Sequence, residues 1–248
     1  MPPKPSLTPL PGSCATCGVR PHDLFRAVPA EQIDKVAATR AAVRLARAGQ
    51  PIHDTVFSLF AGWAFTWRAT PEGRRQILDF HLPGDLVEHD EAGEETVTAL
   101  TDASFCVLSR ERLCAFMGRD ACLAMSYAEG LSEDRARLRE RLTSLGRRDA
   151  LGRLAHLLLE LQGRLAKRGT ASGDGGPLPL RQAHLADALG LSVEHVNRAL
   201  AQLRRNRVAL LRKGRLEILD RAALGALADW PDAPAPALLA TRGRARPG

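Results

Sequence analysis

Apolar residues change their spacing three times along this chain. Ile33, Val36, Ala37 and Val43 fall at helical intervals, so residues 30–47 are predicted to form a helix. Between residues 55 and 110 the pattern shortens. Val56–Phe60, Ala64–Trp67, Gln76–Leu82, Thr96–Leu100 and Ser104–Leu108 are brief runs of strand-forming residues, separated by turn signals such as Thr-Pro-Glu-Gly73, Pro-Gly-Asp85 and Thr-Asp102. Short strands joined by tight turns predict a small antiparallel sandwich or roll. From about Glu111 to Leu165 the helical period returns. Leu131, Leu138, Leu142 and Leu145 make an a/d seam within a charged stretch of Glu133, Asp134, Arg135, Arg137, Arg139, Glu140 and Arg141. Such a helix can face its own core, or can pair with its copy in a dimer; the charge on every other face favours the dimer. Leu154, Leu157, Leu158, Leu161 and Leu165 mark a second helix.

The segment from Gln182 to Leu203 carries the most informative pattern. It predicts two short helices meeting at Gly190, a residue free to adopt positive φ. Ala186 is small where the helices would cross. Leu185, Leu189, Leu191, Val196 and Ala199 would fill the space between them. Ser192 can cap the second helix, with Glu194 in its first turn. These spacings together are those of a DNA-binding helix-turn-helix. The outer face of the second helix would present Glu194, His195, Asn197 and Arg198, with Arg204, Arg205 and Arg207 after it. Side chains of these types suit base edges near the helix start and phosphates near its end. Val208–Leu211, the turn Arg-Lys-Gly214 and Arg215–Leu219 predict a two-stranded wing with Lys213 at a basic tip. Arg181 stands before the first helix.

Charge sharpens this picture. The chain has 248 residues and a net charge of +7. Residues 178–221 hold nine Lys or Arg against four acids, so most of the excess sits on the predicted reader, as expected for a protein that binds duplex DNA. Residues 1–12 and the segment from about 229 onward are rich in proline and small residues and are expected to be disordered tails; the Gly-rich 167–177 stretch is an expected module boundary. The implied division is an N-terminal tail over 1–29, a sensor domain over 30–120, a dimer helix over 121–146, a winged helix-turn-helix over 147–228 and a tail over 229–248. No run is long and apolar enough to span a membrane, and four prolines among the first nine residues do not form an export signal, so a cytoplasmic protein is expected. The absence of a P-loop, a GxSxG elbow, HExxH and a dinucleotide-binding glycine pattern argues against an enzyme. A metal-binding enzyme built on the sheet is the remaining enzymatic alternative, but His53, His81 and His89 are not at ligand spacing.

The order of parts, together with Gly73-Arg-Arg-Gln-Ile-Leu-Asp-Phe-His-Leu-Pro-Gly-Asp-Leu86 and Glu194-His-Val-Asn-Arg198, resembles the Crp/Fnr superfamily of bacterial transcription regulators over roughly residues 13–228. The resemblance implies an α+β protein. Its parts would be an N-terminal antiparallel β-roll of the cyclic-nucleotide-binding, jelly-roll type, a long dimerisation helix and a C-terminal winged helix-turn-helix. It also implies a homodimer on a two-fold-symmetric DNA operator, with RNA polymerase as partner. Surface near Gly84 and Asp85 would touch the polymerase. The acidic stretch 88–95 is a solvated loop, or else part of an activating surface.

Five cysteines, at 14, 17, 106, 114 and 122, bear on the effector. In the superfamily's cyclic-nucleotide branch a cationic cradle holds the phosphate; here no Lys or Arg occurs between Arg75 and Arg110, and the carboxylates at 88–95 would repel one. The oxygen-sensing branch instead holds an iron–sulfur cluster on three N-terminal cysteines and one in the roll. Cys14-Ala-Thr-Cys17 and Cys106 resemble that set, implying a 4Fe-4S cluster. At the expected third N-terminal cysteine the chain has Asp23, or Phe25 with the longer spacing. Asp23 offers an oxygen and His22 a nitrogen as the missing ligand. Zinc, a thiol switch, haem and a constitutive regulator stay open. Cys114 and Cys122 lie in apolar surroundings and are expected in the core.

Overall fold

The computed structural model describes residues 13–89, 93–171 and 174–230. The proline-rich start and most of the predicted C-terminal tail lie outside the described residues. Eleven strands and seven α-helices are ordered along the described chain. The first four strands are β1 (Arg40–Ala46), β2 (Pro51–Ile52), β3 (Val56–Ala61) and β4 (Ala64–Ala69). They are followed by β5 (Arg75–His81), β6 (Leu86–Glu88), β7 (Glu95–Ala99) and β8 (Ala103–Leu108). These form two antiparallel four-stranded sheets, ordered β1-β8-β3-β6 and β2-β7-β4-β5. Phe57, Leu59, Val87 and Phe105 from the first sheet meet Ile52, Ala64, Val97 and Ala99 from the second in one apolar core. The alternation read from the sequence is thus a two-sheet N-terminal domain; the two-residue β2 and three-residue β6 are too short to carry a period of their own.

The predicted helix over 30–47 is corrected. Helix α1 (Ile33–Thr39) ends at Thr39, and Arg40–Ala46 is an edge strand paired with β8, from Arg40 opposite Leu108 to Ala46 opposite Ala103. A free strand edge on β8 outweighs a short helical period. Val43, read as one of the apolar positions of that helix, is 45% exposed on the edge strand.

Helix α2 (Arg110–Met117) leads into α3 (Ala121–Arg147), capped by Asp120, and then α4 (Ala150–Lys167), capped by Asp149. Both caps accept a backbone N–H two or three residues into the helix, one of the donors that a helix start otherwise leaves unpaired. Helix α4 buries Leu154, Leu157, Leu158, Leu161 and Leu165, as its period predicts. Beyond it come β9 (Gly175–Pro177), α5 (Gln182–Leu189), α6 (Val193–Arg205), β10 (Ala209–Arg212), β11 (Arg215–Ile218) and α7 (Arg221–Leu227). The wing is three-stranded rather than two-stranded, because β9 pairs with β11 in the order β10-β11-β9. The boundary loop therefore supplies a strand.

The sheets and the helix-turn-helix share a second core. Trp63, Phe65, Ile77, Phe80 and Leu82 of the sheet domain pack with Leu154, Leu158, Leu185, Leu189 and Val196. Residues 13–29 are likewise not a free tail. They form 3-10 turns at Cys14–Thr16, Arg20–His22 and Leu24–Ala27, and Leu24, Phe25 and Val28 are buried against Leu113, Phe116 and Leu123. At the other end the rings of Trp230 and His156 meet at a tilt of 51°, with centroids 4.9 Å apart.

Candidate DNA-binding face and cysteine cavity

Two local devices set the angle of α6. Gly190 ends α5 in the left-handed conformation, at φ 62°, and Ser192 caps α6 by accepting the His195 backbone N–H at 3.3 Å. Leu185, Ala186, Val196, Ala199 and Leu203 are buried between the helices, and Leu191 is partly buried, as the sequence pattern requires. The opposite face is left in solvent: Ser192, Glu194, His195, Asn197, Arg198 and Arg204 are all exposed, as are Arg181 before α5 and Lys213 at the wing tip. Among the described residues, Arg181, Arg198, Arg204, Arg205, Arg207, Arg212, Lys213 and Arg215 have no carboxylate partner at ion-pair distance. An array of unneutralised cations around an outward-facing helix start attracts a polyanion and lets side chains reach base edges.

The predicted seam on α3 divides. Leu131, Leu138 and Leu142 are exposed, Leu142 at 73%, on a helix otherwise anchored to the sheets. Leu145 is half-buried, and its side chain reaches toward Gly190 at the helix-turn-helix turn. Cys114 and Cys122 are exposed, which corrects their assignment to the core; each occupies the outer side of an amphipathic helix whose buried positions are Leu113, Phe116 and Leu123.

The candidate ligands at 14, 17, 23 and 106 do come together. Cys14, Cys17, Asp23 and Cys106 line one partly open cavity between the N-terminal turns and the β1-β8-β3 sheet, with Arg20, Phe25, Arg40 and Ser58. Phe25 belongs to the apolar wall. His22, the second candidate for the missing ligand, is not in the lining; its backbone lies against Gly84 instead. Asp23 is buried, and one carboxylate oxygen accepts the Phe25 N–H at 2.7 Å. Burial pushes its carboxyl up to about 7, against the pull of that N–H and of Arg20 and Arg26. Burial also raises the Cys17 and Cys106 thiols; Asp23 and Cys14 oppose ionisation of Cys17, and Cys17 and Cys14 oppose that of Cys106, while Arg40 favours it. The cavity thus gathers acids that disfavour one another's charge, a state that protons or a cation relieve.

Among the described residues no three His, Cys, Asp or Glu side chains converge closely enough to hold one metal ion. A cluster draws its ligands to several irons, so its donors ring a space rather than meet at a point. Three thiols and a carboxylate around one cavity are a donor set that fits such a group.

Sequence reasoning missed the charge cluster that holds the two domains together. Asp79 on β5 and Asp85 in the following turn face Arg137 and Arg141 of α3, Glu160 and Arg164 of α4, and Arg168 at the C-terminal cap of α4. Arg141 bonds Asp79 at 2.8 Å and Glu160 at 2.8 Å; Arg164 bonds Asp85 at 2.6 Å; Arg168 also pairs with Asp85. Burial alone would raise both aspartates, but the arginines prevail and hold both carboxyls below their usual range. Asp85 is therefore an ion-pair partner at the domain junction, and Gly84 beside it is buried. The i,i+4 spacings of Arg137 with Arg141 and of Arg164 with Arg168 were the available signal. A further tie joins Arg75 of β5 to Asp187 of α5 at 2.6 Å.

These features define a DNA-reading winged helix-turn-helix packed on a two-sheet domain. A model of the Crp-like helix-turn-helix domain matches residues 152–227. The chain is 30% identical to the transcriptional activator protein FnrL of Cereibacter sphaeroides over 85% of its own length and 90% of that protein's. It is 29% identical to the nitrogen fixation regulation protein FixK of Bradyrhizobium diazoefficiens over 72% and 76% of the two chains. The solved structure of FixK2 from Bradyrhizobium japonicum is similar to it with a TM-score of 0.67 at 26% identity, covering 78% of this chain and 98% of that one. The protein belongs to the Crp/Fnr superfamily of transcription regulators, whose members are not enzymes.

Proposed function

We propose that the protein is a sequence-specific transcription regulator that binds a two-fold-symmetric DNA operator as a homodimer and senses at the cavity of Cys14, Cys17 and Cys106. The observation that carries the DNA reading is the capped, outward-facing α6 with its unpaired cations. One chain offers one such helix, so a two-fold operator calls for two copies. The exposed Leu131, Leu138 and Leu142 support pairing along α3. The word activator in the FnrL name supports an activating role with RNA polymerase as partner. Chromosomal DNA makes the cytoplasm the working compartment, and no helix among the described residues is long and apolar enough to cross a membrane.

Two occupancies of the cavity have support. A regulator without a bound cluster agrees with the thiols of Cys17 and Cys106, whose ionisation burial opposes, and with the finding that, among the described residues, no three donors converge on one ion. A 4Fe-4S cluster held by Cys14, Cys17 and Cys106, with Asp23 as the fourth ligand, agrees with the donor set around one space. When bound, it would supply an oxygen-labile link. Cys14 and Cys17 would hold the N-terminal turns, and Cys106 the sheet. Asp23, a harder and weaker iron ligand than a thiolate, would make that link easier to lose.

The DNA function is tested by selecting operators from random duplexes and measuring binding by anisotropy. Enrichment of an inverted repeat is expected; failure to enrich any sequence overturns it. For the cavity, anaerobic purification with iron and sulfide analysis decides. Brown, air-bleached protein that becomes colourless with Cys106→Ala supports the cluster. Colourless, iron-free protein after anaerobic reconstitution leaves the cluster-free regulator.

A further inference from the structure

The turn from Pro83 to Asp85 lies between the cysteine-bearing segment and the DNA-reading domain, and it touches both. On one side Gly84, at φ 94°, packs against the backbone of His22; a Cβ at this position would come within 3.2 Å of the His22 carbonyl oxygen. His22 lies in the 3-10 turn that immediately precedes Asp23 of the cavity. On the other side the Asp85 carboxylate is divided between Arg164 of α4 and Arg168 at that helix's C-terminal cap, and the Arg168 Nε donates to the Pro83 carbonyl at 2.9 Å. The same carboxylate accepts the Leu82 backbone N–H at 2.7 Å, so it also fixes the shape of the turn. Helix α4 in turn packs on α6, with Leu154, Leu158 and Val196 in the core the two helices share. The N-terminal segment has a second, exposed tie to α3, Arg26 with Glu129 at 2.9 Å.

We propose that Asp85 is a positioning residue for DNA binding: through Arg164 and Arg168 it transmits the packing of the His22 segment on Gly84 to α4, and so to the reading helix. This rests on the cavity being the sensing site, but not on which group occupies it. Packed interiors deform little and switch between discrete arrangements. Loosening the cavity segment therefore frees the face of Gly84. The turn can then relax, and its two arginines lose their fixed acceptor.

The test is a double-mutant cycle on the full-length protein under anaerobic conditions, read as operator affinity. If the turn carries the signal, Cys17→Ala should weaken binding by about fivefold or more in the wild-type background, within the range of ordinary coupling energies. In an Asp85→Asn background the same change should have less than about a twofold effect. Equal factors in both backgrounds overturn the proposal. A second measurement does not depend on sensing. Hydrogen exchange in Asp85→Asn should rise both at residues 14–27 and at 160–168; a rise confined to 160–168 overturns the relay. If Cys17→Ala has no effect even in the wild-type background, the sensing role of the cavity fails, and exchange alone decides the relay. Should Asp85→Asn not fold, Arg168→Gln breaks the turn from the α4 side and the same two readouts apply.

Discussion

Arg137, Arg141, Arg164 and Arg168 share a residue type with Arg198, Arg204 and Arg205, and almost nothing else. The first set lies at the junction of the sheets, α3 and α4, mostly buried, with carboxylates on three elements. The second set stands in solvent and, among the described residues, is ion-paired with nothing. A guanidinium withdrawn from water must be paired, since the desolvation cost is otherwise uncompensated. A guanidinium that is to meet a phosphate must stay unpaired until the DNA arrives, because a resident carboxylate would compete for the same fork of donors. One set joins domains and the other waits for a ligand. The division predicts which assay each substitution should move.

The largest effect is expected at the buried set. Asp79→Ala removes a carboxylate shared by Arg137, Arg141 and Arg164, leaving Glu160 between the last two, and should cost about 3 kcal/mol of unfolding free energy in urea titration. Arg204→Ala should stay within about 0.5 kcal/mol. The sign with pH follows from the depressed carboxyls of Asp79 and Asp85. The unfolded chain takes up protons near pH 4 while the folded one does not, so this stabilisation is present above about pH 4 and lost as pH falls further. Asp79→Ala should flatten that acid loss. A cost below 1 kcal/mol, with an unchanged acid limb, would mean that the junction is held by its apolar core alone.

Helix α3 carries the comparison within one element, with Arg137 and Arg141 turned inward and Leu131, Leu138 and Leu142 turned out. Leu138→Glu would place two carboxylates against each other in a dimer seam, where like charges out of water repel strongly. Sedimentation should then show monomers, and operator binding should weaken. A stable dimer in this variant would move the interface to another face. Unfolding of the monomer unit should be little changed, because Leu138 is already 54% exposed.

How far the sequence revealed this division depends on distance along the chain. The helix-turn-helix was legible because Gly190, Ser192 and the apolar positions from Leu185 to Ala199 act within one turn-linked segment. Residues 40–46 were misread because their state is decided by β8, far along the chain at Ala103–Leu108, and not by their own period. The cavity was legible only through the likeness of Cys14, Cys17 and Cys106 to a known pattern; their shared lining depends on β1, β8 and the N-terminal turns folding together. The junction charges were not legible as a cluster, since neither Asp79 nor Asp85 lies near Arg141 or Arg164 in sequence. Cys114 and Cys122 looked like core because their neighbours are apolar, but a helix turns each neighbour by about 100°, and those neighbours take the inner face.

Arg198→Ala belongs to the exposed set and should act on recognition alone. Its place in the second turn of α6, in line with Glu194 on the open face, suits two hydrogen bonds to a guanine edge. Loss should cost about 1–3 kcal/mol for each contacted base pair and relax preference at that position, with unfolding unchanged. An unaltered ratio between operator and mismatched DNA would remove Arg198 from the base readers and make it one more phosphate contact.

The smallest effect separates base reading from charge. Lys213 sits at the tip of the β10–β11 wing, exposed and without an ion-pair partner among the described residues, at φ 50°. Alanine is as disfavoured as lysine at that φ, so Lys213→Ala removes a charge without changing the backbone cost. An ammonium is a hydrated point charge rather than a planar fork, and at a wing tip it suits a phosphate. Each phosphate contact releases condensed counterions, which appears as a steeper fall of affinity with salt. Lys213→Ala should therefore weaken binding to operator and non-operator DNA by the same factor, and lower the slope of log affinity against log salt by about one. If the slope holds and sequence preference shifts instead, the wing reads bases, and the exposed cations no longer form a single class.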